Sequence, residues 1–264
     1  SNGTPTIANL NLTKLDGGAG NDTLQFEESG SNTTELTLTT GGATNFENII
    51  GTTGGETIKG DANANKLEGL GGNDTLEGGT GDDILEGGTG DDILDGGTGT
   101  DTMTGGSGID TFIIRANDGS TTLADADIVT DFTNGTDVIG MDSIAYEDLT
   151  IAQGTGDYAN HTLISITATG EYVLILENTT ASTITAVDFS STSTETQTFA
   201  GGIDGNDTFI GSAGDDTFNG GAGDDELYGH GGNDTFNITG KSGTFTDTID
   251  GGAGTDTLDI DYTG

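Results

Sequence analysis

From Gly69 to Ile113 a large apolar residue recurs at every ninth position: Leu76, Leu85, Leu94, Met103 and Phe112. Each is the centre of a triplet such as Ile84-Leu85-Glu86, and six positions rich in Gly and Asp separate one such triplet from the next. The six positions predict a tight turn, because Gly permits positive φ and close backbone approach. The triplet predicts a very short strand whose central side chain points to one face while its neighbours point to the other. Two turns and two strands make one coil of eighteen residues. Each strand then stacks in parallel on the strand two units later, about 4.8 Å away. Leu76, Leu94 and Phe112 are expected in one sheet, and Leu85 and Met103 in the sheet facing it.

The units read Gly-Leu-Gly-Gly-Asn-Asp-Thr-Leu-Glu (69–77), Gly-Gly-Thr-Gly-Asp-Asp-Ile-Leu-Glu (78–86) and Gly-Gly-Thr-Gly-Asp-Asp-Ile-Leu-Asp (87–95), with two more to Ile113. One formula covers them: Gly-Gly-x-Gly-x-Asp-x-U-x, with U a large apolar residue. Gly17 to Gln25 is a full copy. Units 42–50, 51–59 and 60–68 keep U as Ile49, Ile58 and Leu67 but carry Glu47, Glu56 and Asn65 in place of Asp. A second array runs from Gly202 to Asn237 with Asp207, Asp216, Asp225 and Asp234 in phase. After a break at 238–241 it continues with Asp247 and Asp256. The expected fold is all-β, a parallel β-roll in two repeat blocks with a strand-rich segment between them.

The expected organisation is a flank at 1–41 holding one repeat and a strand insertion, a first roll at 42–113, a strand-rich segment at 114–200 and a second roll at 201–264. Leu10 to Leu15 reads as an edge strand, and Glu35–Thr39 as a strand pairing beside the roll. Within 114–200, Ala126–Phe132, Asp137–Met141, Leu149–Gln153, His161–Thr167 and Glu171–Glu177 alternate as strands do, with a hairpin turn at Ala168-Thr169-Gly170.

Stacking creates an electrostatic problem. Asp74, Asp92 and Asp110 fall above one another, as do Asp83 and Asp101, and like charges at strand spacing repel. One apolar side chain per nine residues is a thin core to set against that repulsion and the entropy of ordering. A hard divalent cation between stacked turns resolves it, since Ca2+ takes six to eight oxygens from carboxylates and backbone carbonyls. The candidate ligands are the carboxylates of Asp22, Asp74, Asp83, Asp92, Asp101, Asp110, Asp207, Asp216, Asp225, Asp234, Asp247 and Asp256. With them go the turn glycines whose carbonyls are exposed: Gly79, Gly81, Gly88, Gly90, Gly97, Gly99, Gly106, Gly108, Gly221, Gly223, Gly252 and Gly254. Each ion is expected between units two apart, as from Asp74 to Asp92. The units carrying Glu47, Glu56 and Asn65 are expected to keep the core and bind calcium weakly or not at all.

This nonapeptide closely resembles the calcium-binding repeat of the RTX proteins, and Phe46-Glu47-Asn48-Ile49-Ile50-Gly51 resembles the lead-in to many RTX arrays. The stretch from Asp127-Ile128-Val129-Thr130-Asp131-Phe132 through Gly135-Thr136-Asp137-Val138-Ile139 is similar to the segment that closes RTX rolls in serralysin-type proteases. That likeness implies a β cap, to which Asp131 and Asp137 could add a terminal calcium site or only turn and strand ends. The resemblance also implies one-step (type I) export of an unfolded chain that folds in extracellular calcium.

Charge sharpens this picture. The 264 residues hold 45 Asp plus Glu against five Lys plus Arg, a net −40, which argues against nucleic-acid or anionic-membrane partners. There is no Cys, hence no disulfide or thiolate site. No signal peptide or membrane-spanning apolar run is visible. Catalysis is not expected: no His-Glu-x-x-His occurs, the two histidines are His161 and His230, and His230 reads as a surface substitution at a turn Gly. Asp61-x-Asn63-x-Asn65 begins like an EF-hand loop but has Lys66 where the sharp-turn Gly belongs. Gly240-Lys241-Ser242 lacks the first Gly of a phosphate loop, with Thr235 in its place. Three roles remain open: a scaffold in an adhesin or surface layer, a carbohydrate- or ice-binding module, and the accessory module of a secreted protease, lipase or epimerase. Gly17–Gly30 and Gly251–Gly264 share a pattern, which is the expectation for one unit of a longer tandem array.

Overall fold

The computed structural model describes residues 15–16, 19–25, 35–37, 43–44, 46–192, 198–200, 205–239 and 245–261. They form two compact units, one of Ser1–Val138 with Thr150–Thr183 and one of Ile139–Leu149 with Ile184–Gly264. The architecture is all-β with a few single-turn 3-10 helices.

In the first unit two parallel sheets face each other. One carries the strands Glu35–Thr37, Thr57–Lys59, Thr75–Thr80, Ile93–Thr98 and Thr111–Arg115. The other carries Thr23–Gln25, Asn48–Ile50, Lys66–Gly71, Ile84–Thr89, Thr102–Ser107, Ile128–Val129 and Glu171–Leu176. Register follows the eighteen-residue coil: Leu76 and Phe112 flank Leu94 in one sheet, and Leu67 and Met103 flank Leu85 in the other. These residues are fully buried. The single apolar side chain of each triplet thus builds one continuous core, while Ile84 and Ile93 on the outer faces stay exposed.

Two features differ from expectation. Where complete units follow one another the strands are six residues long, not three, and run through Gly-Gly-Thr, so that Gly97 and Thr98 pair with Gly79 and Thr80. Identical Gly-Gly-x segments eighteen residues apart lie close enough to extend the ladder, so a composition that favours turns in isolation becomes strand in the stack. Glu35–Thr37 is also not beside the roll. It pairs with Thr57–Lys59 and sets Leu36 opposite Ile58, in register with the core row. Residues 38–39 lie outside the described residues. So do 10–14 of the first expected strand, whose end, Leu15–Asp16, pairs with Ala43–Thr44.

The glycine phase stops at Ile113 but the sheet does not. Val129 stacks on Met103, Leu176 stacks on Val129, and Thr162–Ile166 then pairs antiparallel to Glu171–Leu176. The hairpin turns at Gly170, in the left-handed region at φ 72°. On the outer faces of the strands, acidic side chains such as Glu68 and Glu86 are paired with basic ones. Lys66 reaches both of these, Lys59 reaches Glu77, and Arg115 grips Asp95 through both terminal nitrogens.

The second unit repeats the plan with shorter strands. Thr198–Ala200, Thr217–Asn219, Thr235–Thr239 and Thr257–Asp261 form one parallel sheet, and Thr208–Ile210, Glu226–Tyr228 and Thr248–Asp250 form the other. The phase break is absorbed without loss of register: Leu227 faces Ile249 and Phe236 faces Leu258, in coils of twenty-two residues. In-register parallel strands superpose like side chains at the strand spacing. Phe199, Phe218 and Phe236 therefore stack ring on ring, with centroids 4.9 and 4.7 Å apart and planes within 10° and 8°.

Candidate metal sites

The aspartates of the sixth repeat position form ladders. Asp74 donates its backbone N–H to Asp92 Oδ1 at 2.8 Å, and Asp92 donates its own to Asp110 Oδ1 at 3.0 Å. Asp83 donates to Asp101 Oδ1 at 2.7 Å, and Asp101 to Asp127 Oδ1 at 2.9 Å. Asp110 donates to Asp137 Oδ1 at 3.1 Å. In the second unit Asp207 donates to Asp225, Asp216 to Asp234, Asp225 to Asp247 and Asp234 to Asp256. One oxygen of each carboxylate thus clasps the preceding coil.

The other oxygen is the informative one. Oδ2 of Asp22, Asp74, Asp83, Asp92, Asp101, Asp207 and Asp234 is buried with no hydrogen-bond donor. It does not face empty apolar space. A methyl group placed on Gly87 would lie 2.4 Å from Asp92 Oδ2 and 2.7 Å from the carbonyl oxygen of Gly105. Gly69 and Gly78 have the same surroundings, made by Asp74 with Gly87 and by Asp83 with Gly96. Gly229 stands in the same way between Asp234 and Gly251. The first glycine is therefore required by close approach, and beside it lie a carboxylate oxygen without a donor and a backbone carbonyl oxygen. Oxygen donors of this kind suit Ca2+, and a bound cation would offset the cost of burying the unpaired carboxylate oxygen. Among the described residues no three acidic or histidine side chains converge on one point, so a cation held here would have to draw on backbone oxygens as well as carboxylates.

The remaining glycines shape the turn. At the second position Gly79, Gly88, Gly97, Gly106, Gly221 and Gly252 have φ between 78° and 112°, and at the fourth Gly81, Gly90, Gly99, Gly108, Gly223 and Gly254 have φ between 114° and 146°. Left-handed backbone persists even where glycine is absent: Leu70 has φ 74° and His230 φ 67°. His230 is more than a surface substitution. Its Nε2 is buried without a partner, and burial lowers its pKa.

Burial also raises the aspartates. It pushes Asp74 and Asp83 up to about 7, Asp101 and Asp110 to about 6, and Asp127 to about 8, with neighbouring carboxylates adding to each. Asp127 therefore resists ionisation at neutral pH and Asp74 and Asp83 ionise only in part, whereas Asp101 and Asp110 ionise just below it; added positive charge would favour the ionised form of each.

Sequence reasoning missed three groups of residues. The fifth position forms a second ladder of opposite sense: Asn73 accepts the N–H of Asp91, Asp82 that of Thr100, and Asp91 that of Ile109. Asn206, Asp215, Asp224 and Asn233 do the same in the second unit. The doublets Asn-Asp and Asp-Asp were the available signal. Asp127 extends an aspartate ladder without any glycine phase to announce it. Asp131 was not missed: read from the sequence as a terminal calcium ligand or a turn residue, it takes the N–H groups of Gly105 and Gly106.

The third group closes turns internally. The carboxylate of Glu56 is bonded by the N–H of Thr52 at 3.0 Å and by the Thr52 hydroxyl. Asn65 Oδ1 takes the N–H of Asp61 at 2.8 Å. Asp216, expected as a ligand, receives on Oδ2 both the N–H of Ser212 at 2.7 Å and its hydroxyl at 3.0 Å.

These features together define a parallel β-roll whose stacked turns are built for hard divalent cations. The profile of the RTX calcium-binding nonapeptide repeat (four copies) matches residues 14–25, 50–85, 77–112, 201–236 and 241–259. These residues carry the RTX calcium-binding nonapeptide repeat. No curated protein sequence matches it. Among solved structures it is similar to the AlgE6R3 subunit of the Azotobacter vinelandii mannuronan C5-epimerase, determined in solution. The likeness spans 51% of this chain and 77% of that subunit at 25% identity, with a TM-score of 0.28.

Proposed function

We propose that the chain is a non-catalytic, calcium-folded structural and interaction module of a secreted or cell-surface protein such as an adhesin or surface-layer protein. The observation that carries this reading is the row of buried aspartate oxygens left without donors in both units. Bound calcium supplies the positive charge those oxygens lack. The aspartates otherwise hold protons or repel one another, and the first coil cannot settle on the second. At low calcium the chain is a net −40 polymer with a thin core. At the millimolar calcium of an exterior milieu, binding free energy becomes folding free energy. Such a switch suits export of an unfolded chain, and residues 114–200 would act as the strand-rich cap between two calcium-folding blocks. Circular dichroism tests it. Excess EGTA is expected to abolish most strand signal, and Ca2+ to restore it where equal Mg2+ does not, because Mg2+ demands near-octahedral geometry and dehydrates reluctantly. A chain that stays folded in EGTA would refute the reading.

A further inference from the structure

We propose that the residue at the second repeat position decides whether a turn takes a cation. A short side chain bearing a hydrogen-bonding oxygen there, at Ser212, Thr52 and Asp61, replaces the ion with a peptide N–H and makes the turn metal-independent. The inference rests on the calcium reading above and adds which turns are exempt from it.

Two neighbouring turns supply the comparison. Gly211-Ser-Ala-Gly-Asp-Asp216 and Gly220-Gly-Ala-Gly-Asp-Asp225 differ only at the second residue. Gly221 and Gly223 are left-handed, at φ 80° and 126°, whereas neither Ser212 nor Gly214 has positive φ. Gly214 is as free as Gly223 to turn left-handed, so the difference originates at position 212. The serine hydroxyl accepts the N–H of Gly214 at 3.0 Å, a local side-chain turn that competes with the left-handed path. It leaves the Ser212 N–H aimed at Asp216 Oδ2. Thr52 repeats this, accepting from Gly54 at 3.1 Å and donating to Glu56. Asp61 repeats it with a carboxylate, accepting from Asn63 at 2.8 Å and donating to Asn65.

Glycine content alone does not sort the turns. Leu70 and His230 are not glycines, yet both are left-handed, at the steric cost that conformation imposes on side chains. Neither offers a short oxygen to close the turn. Asp74 and Asp234, the carboxylates of those two turns, keep their unsatisfied Oδ2. The remaining parts of a cation site survive in the serine turn: beside Gly211, Asp216 Oδ2 and the Gly229 carbonyl oxygen converge as their counterparts do beside Gly87. Only the need for positive charge has been removed.

The test is the number of calcium ions bound per chain at saturation, by equilibrium dialysis with elemental analysis. Ser212→Gly is expected to bind one ion more than wild type. Ser212→Ala loses the hydroxyl that holds Gly214 and, like Leu70 and His230, offers no oxygen to close the turn, so it is expected to gain an ion too, whereas Ser212→Thr keeps the oxygen and is expected to bind the wild-type number. Gly88→Ser, the converse at a turn whose Asp92 Oδ2 lacks a donor, is expected to bind one fewer. An unchanged count in Ser212→Gly, or a chain that fails to fold in calcium, would overturn the proposal, as would a gain in Ser212→Thr. Should wild type itself bind no calcium, the function proposed above falls and this inference with it. A wild type that binds while Ser212→Gly gains nothing refutes the inference alone.

Discussion

The two repeat arrays use the same formula and reach stability differently. In the first, complete units follow without interruption and strands lengthen to six residues through Gly-Gly-Thr. Its core residues are mostly aliphatic, and its outer acidic rows are tied by Lys59, Lys66 and Arg115. In the second, the phase breaks once and most strands shrink to three residues. Three stacked phenylalanines fill its core. The lesson is that backbone ladder and core volume are interchangeable sources of order in a roll. The first array leans on the hydrogen bonds of glycine strands, the second on aromatic bulk.

Core truncation should break this contrast most strongly. Phe218→Ala removes the middle ring of the stack and is expected to cost about 3–5 kcal/mol, against about 2–5 kcal/mol for Leu94→Ala. Hydrogen exchange read region by region should show the first variant losing protection across 205–261 and the second across 46–115. Protection falling equally everywhere in both variants would show that the arrays do not differ in this way.

The next effect separates cation turns from closed ones. Asp92 clasps Asp74 and presents an unsatisfied oxygen. Asp92→Ala should raise the calcium midpoint for folding about tenfold or more, equivalent to roughly 1.4 kcal/mol. Glu56→Ala strands the Thr52 N–H and hydroxyl, a cost of about 1–3 kcal/mol in stability, but should leave the number of bound ions unchanged. Calcium titration followed by circular dichroism compares the two, and a lost ion in Glu56→Ala would contradict the division.

Acid should act in opposite directions with and without metal. Asp74 and Asp83 titrate near 7 when folded without metal, above the ordinary carboxylate value of 3.8. The metal-free fold binds more protons than the unfolded chain between about 4 and 7, so its stability is greatest below that window and falls as pH rises through it. Calcium needs the same oxygens ionised. The calcium midpoint is therefore expected to rise as pH drops from 7 to 5, while residual structure in EGTA increases. A midpoint independent of pH would argue against these aspartates as ligands.

The smallest change concerns the outer ladder. Asp91→Asn keeps an acceptor for the Ile109 N–H, whereas Asp91→Ala removes it at a cost of about 0.5–1.5 kcal/mol. Thermal melts in saturating calcium should place Asn near wild type and Ala below it.

Much of this was legible in the chain. A period of nine with one apolar residue fixes which side chains share a row, and Leu76, Leu94 and Phe112 fall where that period puts them. The period cannot say which carboxylate oxygen turns to the backbone and which stays bare, because that depends on the neighbouring coil. Nor could it reveal that Leu70 and His230 adopt glycine-like backbone, or that Ser212 closes its turn. A degenerate letter in a repeat reads as erosion until its hydrogen bonds are seen.

The two ladders also give the roll a polarity. At the sixth position a side chain reaches back to the coil before it, and at the fifth a side chain reaches forward to the coil after it. Each turn of a finished coil therefore displays, on the side facing the residues still to come, one waiting donor and one waiting acceptor. The next coil must bring the complementary pair. Growth in chain order is templated at every step, so the roll has a growing end and a starting end that are chemically unlike, as a polar filament does.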